Sequence, residues 1–145
     1  MKVHEAMTPT VRVVNAEQSI REAAMLMADE DFGAVPVSDG ERLIGMLTDR
    51  DIAVRAVARD LGPDTPVRDV MSDEVLYCFD DEDLEDVAEN MSDIKVRRLP
   101  VVNRDKRLVG IISLGDLSRR ESAECLGEAI AGISAPGGAH SQALQ

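Results

Sequence analysis

Read for its hydrophobic and polar positions, the chain runs through the same series of periods twice. Val11, Val13 and Val14 predict a short strand. At Ser19-Ile-Arg-Glu22 the pattern changes to hydroxyl-x-x-acid, a capping box, followed by Ile20, Ala23, Ala24 and Met27 on one helical face. An apolar run, Ala34-Val-Pro-Val37, a turn at Ser38-Asp-Gly40 and a second run, Leu43-Ile-Gly-Met-Leu47, predict two strands joined as a hairpin. A helix from Asp49 to about Arg59 closes the series.

The second copy keeps the order. Asp83 takes the cap position, Leu84, Val87, Ala88 and Met91 form the helical face, and Leu99-Pro-Val-Val102, Asn103-Arg-Asp105 and Leu108-Val-Gly-Ile-Ile112 form the hairpin. A last helix runs from Leu114 to about Leu126. Residues 7–39 align on 71–103 and residues 42–52 on 107–117, with 11 of 44 positions identical, where chance supplies roughly three. Two repeats are too few for a solenoid, so the expected fold is α/β (α+β), two β-α-β-β-α repeats packed face to face as a pseudo-two-fold pair. The expected boundaries are repeat one at 1–60, a linker at 61–66, repeat two at 67–126 and a flexible tail at 127–145. The linker, Leu61-Gly-Pro-Asp-Thr-Pro66, stops the preceding helix and turns the chain sharply; the tail, centred on Ala135-Pro-Gly-Gly138, has no period.

Composition narrows the function. With 16 Lys and Arg against 28 Asp and Glu, the 145-residue chain carries a formal charge of −12. It has no Trp, and its aromatic residues are Tyr77, Phe32 and Phe79, so charge and the missing stacking surface both disfavour nucleic acid. No apolar run approaches the roughly 20 residues that span a bilayer, and no leader pattern opens the chain, which points to a cytoplasmic protein without membrane contact. Cys78, Cys125, His4 and His140 form no metal-ligand spacing and read as an ordinary pair of thiols and imidazoles. A nucleophile with a base at workable spacing, a Walker-type loop and a metal motif are all missing, so the expectation is a protein that is not an enzyme.

Candidate chemistry gathers at two pairs of places. Thr48-Asp-Arg-Asp51 and Ser113-Leu-Gly-Asp116 are hydroxyl-x-x-acid at a strand-to-helix junction. That spacing is a helix capping box, and it is equally a place where helix N–H groups meet an anion and an Asp accepts two hydrogen bonds from a ribose diol. The two readings are compatible. The second pair precedes a proline: Phe32-Gly-Ala-Val-Pro36 and Val96-Arg-Arg-Leu-Pro100. Gly33 permits close approach of backbone or of a planar ring. Arg97 and Arg98, a basic doublet in an acidic chain, serve either as solvated or salt-bridged surface charge or as the answer to an anion. The run Asp80-Asp-Glu-Asp83 reads as charge complementing a helix start.

The repeated hydroxyl-x-x-Asp, the Pro-Val strand and the order of elements, all twice in register over residues 1 to about 122, closely resemble the CBS-domain pair, or Bateman module, in its stand-alone bacterial form. The resemblance implies two clefts between the repeats that take an adenosyl ligand such as AMP, ADP, ATP, NAD or S-adenosylmethionine. One cleft would combine Ser113 and Asp116 with Phe32 and Gly33, Asp116 holding the ribose hydroxyls and Arg98 reaching a phosphate. The other would combine Thr48 and Asp51 with Val96 and Arg97. It further implies a homodimer and an output through an unidentified target protein, with no catalytic cofactor. The competing reading is a ligand-free structural, dimerisation or protein-interaction module.

Overall fold

The computed structural model describes every residue except 10, 121–122 and 137–145. Its elements follow the chain as α1 (Val3–Ala6), β1 (Val14–Asn15), α2 (Ile20–Glu30), β2 (Ala34–Asp39), β3 (Arg42–Thr48), α3 (Asp49–Asp51), β4 (Cys78–Phe79), α4 (Leu84–Ile94), β5 (Arg98–Val102), β6 (Leu108–Ser113), α5 (Leu114–Arg120) and α6 (Ala123–Ser134). The mixed α/β class and the two-fold repetition of strand, helix, hairpin and helix stand as expected.

The chain forms two compact units, and they are cut differently from the sequence repeats: Arg12–Val75 is one, and Met1–Val11 with Leu76–Gln145 is the other. In the Arg12–Val75 unit β1 runs parallel to β2, pairing Val14 with Val37, and β2 runs antiparallel to β3 from Ala34–Thr48 to Asp39–Arg42. In the other unit β4 pairs parallel to β5 at Cys78–Val101, and β5 pairs antiparallel to β6 from Arg98–Ser113 to Val102–Leu108. Both hairpins carry an irregularity at the same place, Val37/Ser38 and Val101/Val102. Each sheet has its own aliphatic core. Val14, Ile20, Ala23, Met27, Val35, Val37 and Leu47 build one; Cys78, Leu84, Val87, Met91, Leu99, Val101 and Ile112 build the other.

The segment in front of each repeat explains where the units divide. Residues 65–72 lie on the sheet and helix of repeat one: Ile20 N–H donates to Thr65 O, Val67 N–H to Gln18 O, and Met46 and Ser72 exchange two backbone bonds of 3.0 and 2.9 Å. Residues 1–8 do the same on repeat two. There Leu84 N–H donates to Met1 O, Val3 N–H to Glu82 O, and Thr8 and Ile111 exchange bonds of 2.9 and 3.0 Å. Buried Val67 and Val70 close one core, and Val3 and Ala6 close the other.

Helix ends differ in detail from the pattern. Ser19 caps α2 as its position predicts, accepting from Glu22 N–H at 3.2 Å, while the Glu22 carboxylate goes to Gln18 Nε2 rather than back to the cap backbone. Asp83 is the first residue before α4, but its side chain caps nothing and pairs with Lys2 Nζ at 2.9 Å. The first predicted strand shrinks to Val14–Asn15, because only these residues find partners on β2. Helix 49–59 is present at its expected length and is wound unevenly, with a wide π turn over Ile52–Ala56 and a tight turn over Val57–Arg59.

The expectation for the C-terminal part needs correction. The described residues of the helix predicted over 114–126 are helical, as α5 and α6, and residues 127–134, assigned to a flexible tail, are the second half of α6. Cys125, Leu126 and Ile133 give α6 an apolar side that packs on the core holding Met91 and Leu99. The rest of the tail, from residue 137, lies outside the described residues.

Candidate functional site

Each hairpin ends in a hydroxyl residue that leaves its strand in an extended conformation and starts a helix. Thr48 Oγ1 accepts from Asp51 N–H at 3.0 Å, and Asp51 Oδ2 accepts from Thr48 N–H at 3.0 Å. Ser113 and Asp116 repeat the arrangement. Ser113 N–H donates to Asp116 Oδ2 at 2.9 Å, Ser113 Oγ donates to the same oxygen at 3.0 Å, and Asp116 N–H donates to Ser113 Oγ at 3.3 Å. The capping-box reading is therefore satisfied twice, each time by Oδ2 of the aspartate.

The second oxygen of each aspartate faces an arginine from the same helix. Asp116 Oδ1 accepts from Arg119 Nη2 at 2.6 Å, and Asp51 Oδ1 lies 3.8 Å from Arg55 Nε. Asp116 is 3% exposed and Arg119 largely exposed, so the carboxylate sits in the wall of the unit while its partner reaches in from solvent. Burial of a carboxylate is tolerable here because every oxygen is hydrogen-bonded and the charge is answered. Neither arginine was singled out from sequence, although Asp116–Arg119 at i, i+3 and Asp51–Arg55 at i, i+4 carry a readable signal.

The residues before the prolines stand beside these boxes. Asp31 and Lys95 end α2 and α4 in the left-handed conformation, with φ of 56° and 59°. The next residue in each copy closes the helix end, Phe32 N–H on Met27 O and Val96 N–H on Met91 O. One residue further on, Gly33 O accepts from Asp49 N–H at 2.8 Å and Arg97 O accepts from Leu114 N–H at 3.1 Å. Arg98 is the cross-strand partner of Ser113. Within the Arg12–Val75 unit the structure thus joins Phe32 and Gly33 to the Thr48–Asp51 box, and within the other it joins Val96, Arg97 and Arg98 to the Ser113–Asp116 box. The combinations expected from the resemblance draw residues from both units.

Gly33 has a steric reason to be glycine. A Cβ there would meet Asp49 Oδ2 at 2.5 Å, so the carboxylate of Asp49 occupies the space a side chain would need. Asp49 was not among the residues read from sequence as functional; it sits inside the box, where only its contact with Gly33 marks it out. Met27, Ala28, Asp31, Phe32, Gly33 and Asp49 together line a shallow depression of about 370 Å³.

Elsewhere the chemistry is quiet. Cys78 is buried, and burial with Glu82 and Asp80 nearby pushes its thiol up to about 12, so it stays protonated. Among the described residues no three His, Cys, Asp or Glu side chains are grouped to hold a metal ion, and no helix is long and apolar enough to cross a membrane.

Comparison with known proteins agrees with the two-fold repetition. The family model of the CBS domain matches twice, at residues 3–57 and 67–122. The CBS domain-containing protein YhcV of Bacillus subtilis is 44% identical over 133 residues, covering 91% of this chain and 94% of the relative. Among solved structures, CBSX2 in complex with AMP superposes with a TM-score of 0.72 at 30% identity, covering 81% of this chain and 93% of that one. The CBS domain pair of MJ0100 in complex with 5′-methylthioadenosine and S-adenosyl-L-methionine superposes with a TM-score of 0.73 at 28% identity, covering 82% and 98%.

Proposed function

We propose, from the premise that this chain belongs to the CBS domain family and carries the domain twice, that it is a non-catalytic regulatory module responding to an adenine nucleotide. AMP, ADP, ATP or NAD is the ligand, the protein works as a homodimer in the cytoplasm, and the bound state is passed to a separate target protein. The observation that carries the reading is the repeated box. In both copies one aspartate oxygen is committed to the helix cap and the other faces an exposed arginine that a ribose diol can join or displace. The AMP and S-adenosylmethionine bound by the two structural neighbours support an adenosyl ligand. The residues assigned to it are Ser113 and Asp116 with Phe32, Gly33 and Arg98, and Thr48 and Asp51 with Val96 and Arg97.

A ligand that binds only the folded state stabilises it by mass action, by about 2.7 kcal/mol at a hundred times its dissociation constant, and so raises the melting temperature. The test is a thermal-shift panel of AMP, ADP, ATP, NAD, NADH and S-adenosylmethionine on the wild type, Asp51→Asn and Asp116→Asn. A shift with one compound that is lost in one variant assigns ligand and residue together. A flat panel overturns the nucleotide reading and favours a ligand-free interaction module.

A further inference from the structure

The two repeats carry opposite charge at equivalent positions of the same edge. Asp31 matches Lys95, Gly33 matches Arg97, Ala34 matches Arg98 and Asp49 matches Leu114. The backbones are alike: both C-caps are left-handed, and in both units the carbonyl just ahead of the strand accepts the first N–H of the helix. Asp49 Oδ2 lies 2.5 Å from where a Cβ of residue 33 would stand, the place from which the Arg97 side chain starts in repeat two. So a carboxylate replaces a guanidinium stem at one place in the fold. Arg50, matched by Gly115, is the one cation among these positions in repeat one, and its backbone N–H donates to Asp49 Oδ1 at 2.8 Å, which helps hold that carboxylate beside Gly33. In repeat two Lys95 also reaches a carbonyl, Pro136 O, at 3.2 Å.

We infer that Asp49 is a specificity-determining residue that bars phosphate from the repeat-one edge, so that the phosphate of a bound nucleotide is carried at the Arg97–Arg98 edge alone. The repeat-one edge, with Phe32 and Met27 beside Asp31 and Asp49, suits only adenosyl compounds that lack phosphate, neutral nucleosides or sulfonium cations. Two carboxylates and a phosphate repel one another, whereas paired guanidinium groups answer phosphate oxygens directly. Discrimination of this kind comes as much from the repelling group as from the attracting one. The inference rests on the nucleotide reading above for the adenosyl ligand, and it regroups that reading's residues by unit, Phe32 and Gly33 with the Thr48–Asp51 box and Arg97 and Arg98 with the Ser113–Asp116 box.

The test is isothermal titration of the full chain with adenosine and with AMP, in the wild type, Arg97→Ala/Arg98→Ala, Asp49→Asn and Asp49→Leu. Asp49→Leu installs the residue of the second copy, and Asp49→Asn keeps the shape that fits over Gly33 should the leucine variant fail to fold. The wild type is expected to take one AMP per chain about tenfold more tightly than adenosine, the arginine variant to lose that margin, and the Asp49 variants to take a second AMP. Two equal AMP sites in the wild type, or one site persisting in the Asp49 variants, overturn the inference while leaving the nucleotide reading intact. No heat with either compound, on protein shown to be folded by circular dichroism, overturns both.

Discussion

Gly110 lies directly under Met7: a Cβ on the glycine would stand 2.5 Å from the methionine sulfur and 2.8 Å from Thr8 O. Gly45 has the same relation to Met71 and Ser72 O in the other unit. The contact is what lets the segment ahead of each repeat bond edge-on to a strand. Replacing Gly110 by Ala forces the segment away from β6 and is expected to destabilise its unit by about 1–3 kcal/mol, the usual cost of overpacking a closed site. Urea unfolding of Gly110→Ala measures it; a midpoint equal to wild type shows that the N-terminal segment is not held there.

Asp116 is a structural residue as well as a candidate ligand residue. Its Oδ2 receives two hydrogen bonds from Ser113, its own N–H is capped by Ser113 Oγ, and Arg119 is bound to Oδ1. Asp116→Ala removes the acceptor and leaves buried donors unpaired, at about 1–3 kcal/mol. Asp51→Ala, in a more open box, is expected to cost about 1 kcal/mol, the common value for a lost cap. Chemical denaturation of both variants checks the order. Equal losses would mean that burial of the second box contributes nothing, and binding experiments on either variant belong well below its melting temperature.

The boxes and hairpins were legible because they are local: spacing within four residues fixes Ser19 and Glu22, Thr48 and Asp51, Ser113 and Asp116. The exchange of leading segments was not. Met7 and Met71 are identical, so a pattern along the chain reads the same whichever repeat each segment covers, and backbone bonds such as those of Thr8 and Ser72 decide it. Asp83 looks like a cap in sequence because the competing partner, Lys2, lies 81 residues away. In α6 the glycines at 127 and 132 argue against a helix by propensity, yet Gly132 is required where the helix backbone passes Ser92. For the site, the paired positions were visible, but the carboxylate of Asp49 over Gly33 is a contact across two elements.

The Lys2–Asp83 pair ties the N-terminal segment to the start of α4 and is pH-dependent at both ends. Hydrogen bonding and attraction to Lys2 hold the Asp83 carboxyl below its ordinary 3.8, and the same partner raises Lys2 above 10.5. The aspartate's contribution is present above the unfolded value and is lost as pH falls through the depressed folded one. The lysine's is present below its unfolded value and is lost as pH rises through the raised one. Both groups are exposed, so the effect is small and screened by salt. The protection of the Val3 and Leu84 amides, which bond across this junction, taken relative to their intrinsic exchange rates at each pH, is expected to fall below about pH 4 and to lose that fall in Asp83→Asn. Equal acid sensitivity in that variant would assign the effect to other carboxylates.

Ala24 and Ala88 are the same residue at the same place in the repeat, and their surroundings are opposite. Ala88 is 1% exposed, in the core that α6 covers with Cys125, Leu126 and Ile133, whereas Ala24 lies exposed on α2. Among the described residues repeat one has no counterpart of that cover, because after Arg59 its chain turns away through residues 61–66 to bond the first turn of α2 at Ile20 and Arg21. Ala88→Glu puts an unpaired charge into a dry aliphatic contact and is expected to cost about 3 kcal/mol or more. Ala24→Glu, on an exposed helix face, is expected to stay within about 0.5 kcal/mol of wild type. Parallel denaturation of the two variants measures the difference. A large loss in Ala24→Glu would reveal that a second molecule covers α2 in solution, and a sedimentation run on the same protein would show it as a change from dimer to monomer.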